Sequence, residues 1–243
     1  TACILQDRLK LSKNIGALDF NLGCSGYIYG LQLARNLILS GDCKNVLLVT
    51  AETYTKYIHE LDVVNKAIFG DAASASLIVK DDDDGILKPV TKTDGSGFEK
   101  LIIKNGGARF SFSNKSKLKS YGNNFYTDNN LYMCGPDIFN FTIENIPNLC
   151  NEVLEINNLQ INDIDYVIFH QANKFMLNFL RKKINFPENK FHIDMEDGGN
   201  TVSSTIPIAI KRAIDSNKIN IGDRLLLVGF GVGLSYAGIV IEL

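Results

Sequence analysis

Apolar positions along this chain follow two different periods. A continuous apolar run at residues 46–49 predicts a strand covered on both faces, and residues 165–169 predict another buried strand. Apolar residues at helical spacing over residues 27–39 and 203–214 predict helices. Predicted strands and helices alternate through the whole sequence, which indicates an α/β fold.

One predicted corner joins a strand to a helix around a cysteine. Residues 15–22 are mostly apolar and predict a short buried strand, and Cys24 follows it directly before the helix. Gly23 and Gly26 allow a tight turn there. A thiol at a helix start faces unpaired N–H groups, which favour the thiolate. Residues 19–26 alone fit a nucleophilic cysteine and a small buried cysteine equally well.

A weak internal repeat links the two ends of the sequence. Residues 31–49 and 206–228 both contain an apolar helix, a turn that includes Gly-Asp, and a strand that includes Leu-Leu-Val. Both helices are entered through a glycine-rich corner, at Cys24 in the first case and at Asn200 in the second. Two related halves would place these residues at equivalent helix starts, facing each other.

We place the boundary between the halves at a run of four aspartates, with residues 1–84 in the first half and residues 85–243 in the second. The run lacks the ligand spacing of a calcium loop, which favours a solvated turn. The chain opens at Thr1, without Met, in what reads as a helix. We therefore expect earlier strands of the first half to precede it.

The bulk composition excludes several classes of protein. The chain has 243 residues, of which 45% are hydrophobic and 21% charged, as in an ordinary globular protein. A net charge of −2 argues against a nucleic-acid partner. No apolar run approaches the roughly 18 residues of a membrane span. Five scattered cysteines without a Cys-x-x-Cys pair argue against a disulfide framework or a zinc site and favour a cytoplasmic protein.

Further motifs stand at other predicted strand ends, where α/β folds build their sites. With the cysteine corner, they resemble the 3-oxoacyl-ACP synthase III family of condensing enzymes, in the thiolase superfamily. The matching motifs in chain order are Asn-Leu-Gly-Cys-Ser-Gly, Ile-Phe-Gly-Asp, Asp-Gly-Ser-Gly, Met-Cys-Gly, His-Gln-Ala-Asn, Gly-Asn-Thr with Ser-Thr-Ile-Pro, and Gly-Phe-Gly-Val-Gly. Each motif alone is weak, but the ordered set covers essentially the whole chain.

The resemblance implies a five-layer αβαβα fold of two related halves, with the first half incomplete in this chain, and a homodimer. It also implies an acyltransferase in which Cys24 takes the acyl group from a thioester. Malonyl-ACP would then lose carbon dioxide, and His170 and Asn200 would donate hydrogen bonds to the resulting enolate. The enolate would attack acyl-Cys24, a decarboxylative Claisen condensation of the fatty-acid type. No metal or redox cofactor is implied.

The family pattern implies roles for further residues. The backbone N–H groups of Cys24 and Val232 would bind the oxyanion, and the other substrate-binding residues would be Phe230, Gly231, Asn173 and Gly135. Acyl carrier protein would dock on a basic helix through Lys174, Arg181 and Lys182. The chain departs from the family at Val63 and Phe175, where arginines that contact CoA and the carrier are usual. The donor is therefore open between acyl-CoA and acyl-ACP.

Two alternatives remain open from the sequence. A related acyltransferase would use the same acyl-Cys24 but pass the acyl group to an amine or hydroxyl without decarboxylation. An inactive partner subunit or fragment would keep the fold without the activity. Taken singly, a histidine at a strand end is more often structural, and an asparagine after Gly-Gly is more often a helix cap. Only the ordered set supports the catalytic interpretation.

Overall fold

The computed structural model describes residues 1–82 and 84–243 of the chain. Asp83, within the acidic turn that we expect between the halves, lies outside the described residues, and the division at residues 84 and 85 stays a prediction. The α-helices are α1 (Ala2–Arg8), α2 (Gly26–Leu39), α3 (Val63–Ile68), α4 (Gly135–Ile156), α5 (Lys174–Lys183) and α6 (Thr205–Asp215).

Ten strands form four separate sheets among the described residues. The strands are β1 (Asn45–Glu52), β2 (Ala72–Val79), β3 (Val90–Thr93), β4 (Leu101–Ile103), β5 (Lys119–Tyr121), β6 (Asn124–Tyr126), β7 (Leu131–Met133), β8 (Tyr166–Phe169), β9 (Arg224–Gly231) and β10 (Ser235–Glu242). The largest sheet has the order β3-β10-β9-β8, with β8 and β9 parallel and the other pairs antiparallel. Strands β1 and β2, β4 and β7, and β5 and β6 form antiparallel pairs.

The four-stranded sheet is the centre of a layered structure. Helix α4 packs on one of its faces, with α5 beside it, and α2 and α6 pack between this sheet and the β1–β2 pair. Every residue of β8 is buried, as are seven of the eight residues of β9. Continuous apolar strands require cover on both faces, and these two strands have it.

Helix α4 continues through Pro147, which lies inside it. Its buried positions recur at helical spacing and include Ile146, Leu149 and Val153. The burial of this apolar stripe against the sheet offsets the cost of a proline inside the helix, which is about 3 kcal/mol. Packing against the sheet therefore decides that this segment is helical despite its proline.

The predicted buried strand at residues 15–22 does not form. Residues 15–21 are exposed, and Leu18 keeps 65% of its surface open. A strand needs a hydrogen-bonded neighbour, and none of the described residues pairs with this segment. Its main anchor is Asp19, whose carboxylate accepts hydrogen bonds from the terminal amine of Thr1 and the N–H of Ala2.

The prediction that residues 46–49 are covered on both faces is also wrong. Leu48 in β1 is buried, but Leu47 and Val49 point to the opposite face and are 45% and 38% exposed. On β2, Leu77 lies opposite Leu47 and is 66% exposed. The apolar run therefore forms a strand whose inner face packs on α2 and whose outer face is open among the described residues.

No α-helix in the described part of the chain combines the length and the apolar character that crossing a membrane would take.

Candidate active site

Three of the predicted catalytic side chains meet at one buried cavity. Cys24, His170 and Asn200 are 3%, 1% and 5% exposed, and all three line a cavity of about 110 Å³. Cys24 lies just before α2, His170 follows β8, and Asn200 lies in the loop before α6. The sequence separates them by up to 176 residues, so the fold alone brings them together.

Cys24 is held against the turn that follows β9. A Cβ atom on Gly231 would lie 2.6 Å from Sγ of Cys24, and one on Gly229 would lie 2.7 Å from its carbonyl oxygen. Only glycine fits at such distances. On the other side, a Cβ on Gly23 would lie 2.7 Å from Cγ1 of Val232. The glycines of both motifs therefore allow the nucleophile corner and the closing turn to interlock.

Burial sets the resting state of the cysteine. It raises the pKa of the Cys24 thiol to about 12, although hydrogen bonds from the backbone N–H groups of Val232 and of Cys24 itself act in the opposite direction. The nearby carboxylate of Glu52 raises this pKa further. The expectation that the helix start favours the thiolate is therefore wrong, because desolvation outweighs the N–H groups. The resting cysteine is a neutral thiol.

Asn200 is oriented by the backbone around it. Its Oδ1 accepts a hydrogen bond of 2.9 Å from the N–H of Val202. Its own N–H donates to the carbonyl of Ile68 at 2.8 Å, and its carbonyl accepts from the N–H of Gly70 at 3.0 Å. Because Oδ1 already accepts a backbone proton, the amide presents Nδ2 as a free donor among the described residues.

His170 is fixed by one polar contact and one aromatic contact. Its Nδ1 lies 2.8 Å from Oγ1 of Thr205, and its ring meets the ring of Phe230 edge to face, with centroids 5.6 Å apart. Burial lowers the pKa of His170 to about 3, and a hydrogen bond with the backbone of Val202 acts in the opposite direction. The imidazole is therefore neutral at physiological pH.

The other predicted site residues fall into two groups. Phe230, Gly231, Asn173 and Gly135 line the same cavity as the catalytic residues. Val232 contributes its backbone N–H to the Cys24 thiol. The side chain of Asn173 accepts a hydrogen bond of 2.8 Å from the N–H of Met176, so it also caps α5.

The predicted docking residues lie on α5, outside the cavity. Lys174 and Lys182 are exposed. The side chain of Arg181 is only 14% exposed and forms an ion pair with Glu188 at 3.2 Å. The structure therefore leaves two of the three predicted cations open to a partner.

Sequence reasoning missed the apolar lining of the cavity and one polar residue beside it. The apolar side chains that complete the lining are Ile68, Phe69, Leu101, Met133, Ile138, Ala172 and Met176. Two of the motifs contain Ile68, Phe69 and Met133, which is a signal that could have identified them. Thr205 also belongs to a motif, Ser-Thr-Ile-Pro, but its contact with His170 depends on the tertiary fold.

No three His, Cys, Asp or Glu residues within the described ranges come close enough together to hold a metal ion. The polar chemistry at this cavity is therefore that of a thiol, an imidazole, an amide and backbone N–H groups.

Comparisons with known proteins agree with this site. The family model for 3-oxoacyl-[acyl-carrier-protein (ACP)] synthase III matches residues 18–95, and the model for the C terminal of the same enzyme matches residues 154–243. Beta-ketoacyl-[acyl-carrier-protein] synthase III of Clostridium perfringens (strain ATCC 13124) is 36% identical over 244 residues, which cover 100% of this chain and 72% of the relative.

Solved structures extend the likeness to the fold. A 3-oxoacyl-(acyl-carrier-protein) synthase III crystal structure superposes with a TM-score of 0.97 at 43% identity and covers 100% of this chain and 73% of its own. The 3-oxoacyl-[acyl-carrier-protein] synthase III from Aquifex aeolicus VF5 gives a TM-score of 0.85 at 30% identity, over 100% and 71% of the two chains. The chain therefore belongs to the 3-oxoacyl-ACP synthase III family of condensing acyltransferases, and it has their thiolase-like fold.

Proposed function

We propose that the protein forms an acyl-enzyme on Cys24 and condenses the acyl group with malonyl-ACP, with release of carbon dioxide. The observation that carries this proposal is the convergence of Cys24, His170 and Asn200 on one buried cavity from three separate segments of the chain. The names of the relatives, which are 3-oxoacyl-ACP synthases III, support the same reaction.

The acylation step uses the cysteine corner and the closing turn. Sγ of Cys24 attacks the thioester carbonyl of the donor, and the negative charge that develops on the carbonyl oxygen is met by the N–H groups of Cys24 and Val232. Both N–H groups already form hydrogen bonds with the Cys24 thiol. Loss of one such donor costs about 100- to 1,000-fold in rate in other acyl-transfer enzymes.

The condensation step uses Asn200. Once the malonyl thioester loses carbon dioxide, the enolate oxygen needs a hydrogen-bond donor, and Nδ2 of Asn200 is free for this at any pH. The enolate carbon then attacks acyl-Cys24. The resemblance to the family implies the same donor role for His170, whose neutral imidazole donates through Nε2 in the tautomer that carries its proton there.

Acyl carrier protein docks on α5 in this proposal. Lys174 and Lys182 are exposed there and would face an acidic partner. Phe175 is 72% exposed and its ring packs on that of Phe139, with centroids 5.6 Å apart. Because Asn173, at the start of this helix, lines the cavity, a carrier on α5 would hold its thioester close to Cys24.

We also propose a homodimer that forms at the β1–β2 pair. Strand β2 pairs only with β1 among the described residues, so one of its edges carries unpaired backbone groups. Such an edge is a template for pairing with another chain, and a second copy would satisfy it. Light scattering on the purified protein tests this proposal, and a monomer at micromolar concentration would contradict it.

The central experiment follows both half-reactions separately. Intact-mass spectrometry after incubation with acyl-CoA or acyl-ACP donors should show one acyl group, on the peptide that contains Cys24. Acyl-enzyme mixed with malonyl-ACP should then release carbon dioxide and a 3-oxoacyl-ACP. Transfer of the acyl group to an amine or hydroxyl without carbon dioxide would favour the related acyltransferase, and no acylation with any donor would leave an inactive subunit.

A further inference from the structure

The turn that carries the N–H of Val232 has little conformational restraint of its own. Val232 lies between two glycines with positive φ angles, Gly231 at 154° and Gly233 at 134°. Glycine adopts more backbone conformations than any other residue. A hydrogen-bond donor stabilises a developing oxyanion best when its position is fixed in advance. The neighbours of this turn therefore have to hold it in place.

One contact that holds the turn comes from the strand that follows it. The hydroxyl of Ser235, the first residue of β10, lies 3.0 Å from the carbonyl oxygen of Val232. The hydroxyl oxygens of Ser235 and Ser25 lie 2.5 Å apart, and both serines are buried. Ser25 directly follows Cys24 in the sequence. Two hydrogen bonds therefore connect the nucleophile corner with the closing turn. We call Ser25 and Ser235 the serine pair.

The chemistry of these groups fixes the direction of both hydrogen bonds. A backbone carbonyl can only accept, and a serine hydroxyl has a single proton to donate. The proton of Ser235 therefore goes to the carbonyl of Val232, and Ser25 donates its proton to Ser235. Each buried hydroxyl then has a partner for its proton. The two bonds run in one direction, from Ser25 through Ser235 to the turn.

The hydroxyl of Ser25 does not serve the helix at which it stands. Ser25 is the N-cap residue of α2, where a serine hydroxyl ordinarily accepts a hydrogen bond from an N–H of the first helical turn. Its side chain makes no such capping bond. It contacts a residue 210 positions further along the chain instead. The hydroxyl therefore joins two distant parts of the protein at the cost of a local cap.

A second set of contacts holds the same turn from another loop. The N–H of Leu234 donates to the carbonyl of Asp94 at 3.1 Å, and the carbonyl of Leu234 accepts from the N–H of Asp94 at 2.8 Å. These bonds tie the end of the turn to the loop after β3. The serine pair ties the turn to the residue next to the nucleophile, so the two sets of contacts have different tasks.

We propose that Ser25 and Ser235 are positioning residues, whose hydrogen bonds hold the N–H groups of Cys24 and Val232 at the spacing that one oxyanion requires. The inference rests on the proposed function, in which Cys24 attacks a thioester carbonyl. Neither serine lines the cavity, so both act through the backbone donors. They should therefore affect the rate of acylation more than the binding of the donor.

Rapid-quench kinetics of matched variants tests this role. Ser235→Ala removes the hydroxyl that both hydrogen bonds share, and Ser25→Ala removes only the first bond. Ser204→Ala is the control, because its buried hydroxyl also lies near a hydroxyl, that of Thr50 at 2.9 Å, and a carbonyl, that of Ala72 at 3.4 Å. A misplacement of about 1 Å can cost about 100-fold in rate, so we expect Ser235→Ala to lower the maximal acylation rate by about 10- to 100-fold. The donor concentration at half-maximal rate should stay the same.

Two further results are specific to the serine pair. Ser235→Thr keeps the hydroxyl and should restore the rate. Ser25→Ala should cost less than Ser235→Ala, and the double variant should be no slower than Ser235→Ala, because Ser25 has no acceptor once the second hydroxyl is gone. Ser204→Ala should match the wild type. An unchanged rate in Ser235→Ala, an equal loss in Ser204→Ala, or losses that multiply in the double variant would overturn the proposal.

Amide hydrogen exchange tests the serine pair without any acyl donor. In Ser235→Ala, the N–H groups of residues 232–234 should exchange about 2- to 10-fold faster than in the wild type, because the turn loses a hydrogen bond that opposes its opening. Ser204→Ala should leave their exchange unchanged. Unchanged exchange in Ser235→Ala would overturn the proposal even in a protein that is acylated normally. Failure of the wild-type protein to form acyl-Cys24 would instead overturn the proposed function, and with it the role of the pair in acylation.

Discussion

Two parts of the molecule have the same order of elements and different environments. Helix α2 leads into the antiparallel pair β1–β2, and helix α6, through the turn that follows it, leads into the antiparallel pair β9–β10. Strand β9 pairs on both sides and is buried along almost its whole length, whereas β1, among the described residues, pairs with β2 alone and has one open face. Similar sequences thus give the same local structure with unequal burial.

The helix starts of the two parts differ in chemistry in a complementary way. The corner before α2 supplies Cys24, a nucleophile, and the loop before α6 supplies Asn200, a hydrogen-bond donor. Because both corners line the same cavity, the nucleophile of one part and the hydrogen-bond donor of the other can act on one substrate. The repeat therefore places two helix starts opposite each other. The single residue at each start decides which step of the reaction that start serves.

The largest expected effect is at the nucleophile corner. Cys24→Ala should abolish acyl-enzyme formation, because no other group in the cavity can form the thioester. Intact-mass spectrometry measures this. Cys150→Ala is the matched control, since burial raises the pKa of that thiol to about 12 as well. Normal acylation of the Cys24→Ala protein would refute the assignment.

A substitution of Asn200, in the loop before α6, should affect the condensation half-reaction. Asn200→Ala should still accept an acyl group on Cys24 but lose carbon dioxide release from malonyl-ACP by about 100- to 1,000-fold, because the enolate loses its donor. Rapid-quench measurement of the two half-reactions separates these effects. Equal losses in both half-reactions would indicate that Asn200 only supports the loop, through its backbone bonds to Ile68 and Gly70.

Replacing one leucine by alanine in each strand pair compares how much side-chain burial contributes to the free energy of unfolding. Leu227→Ala, in β9, should lower the free energy of unfolding by about 2–5 kcal/mol, because its side chain is 0% exposed. Leu77→Ala, in β2, should change it by less than about 0.5 kcal/mol, because its side chain is 66% exposed. Urea denaturation measures both. A loss at Leu77 as large as that at Leu227 would mean that further protein covers the open face.

The smallest expected effect concerns the donor. Val63 begins α3 with 64% of its surface exposed, at a place where the family usually has an arginine that contacts CoA. Cation–π contacts are worth about 0.5–2 kcal/mol, so their absence should weaken CoA binding by about 2- to 30-fold. We expect a higher kcat/KM for acyl-ACP than for the matching acyl-CoA, and Val63→Arg should narrow the difference. Better activity with acetyl-CoA than with every acyl-ACP would contradict this expectation.

The sequence by itself determined the order of most elements and the identity of the polar residues at the cavity. Continuous apolar runs identify β8 and β9, which are buried on both faces. Glycines mark the corners around Cys24 and Gly231, since only glycine permits those close approaches.

Only the tertiary structure decided what depends on neighbours distant in the chain. The apolar segment at residues 15–22 stays exposed because no described strand pairs with it, and the run at residues 46–49 is covered on one face. The thiol state of Cys24 follows from its burial, which outweighs the N–H groups that the helix start supplies. The contact of Thr205 with His170 joins residues 35 positions apart, and no local pattern predicts which hydroxyl a folded chain brings to a histidine.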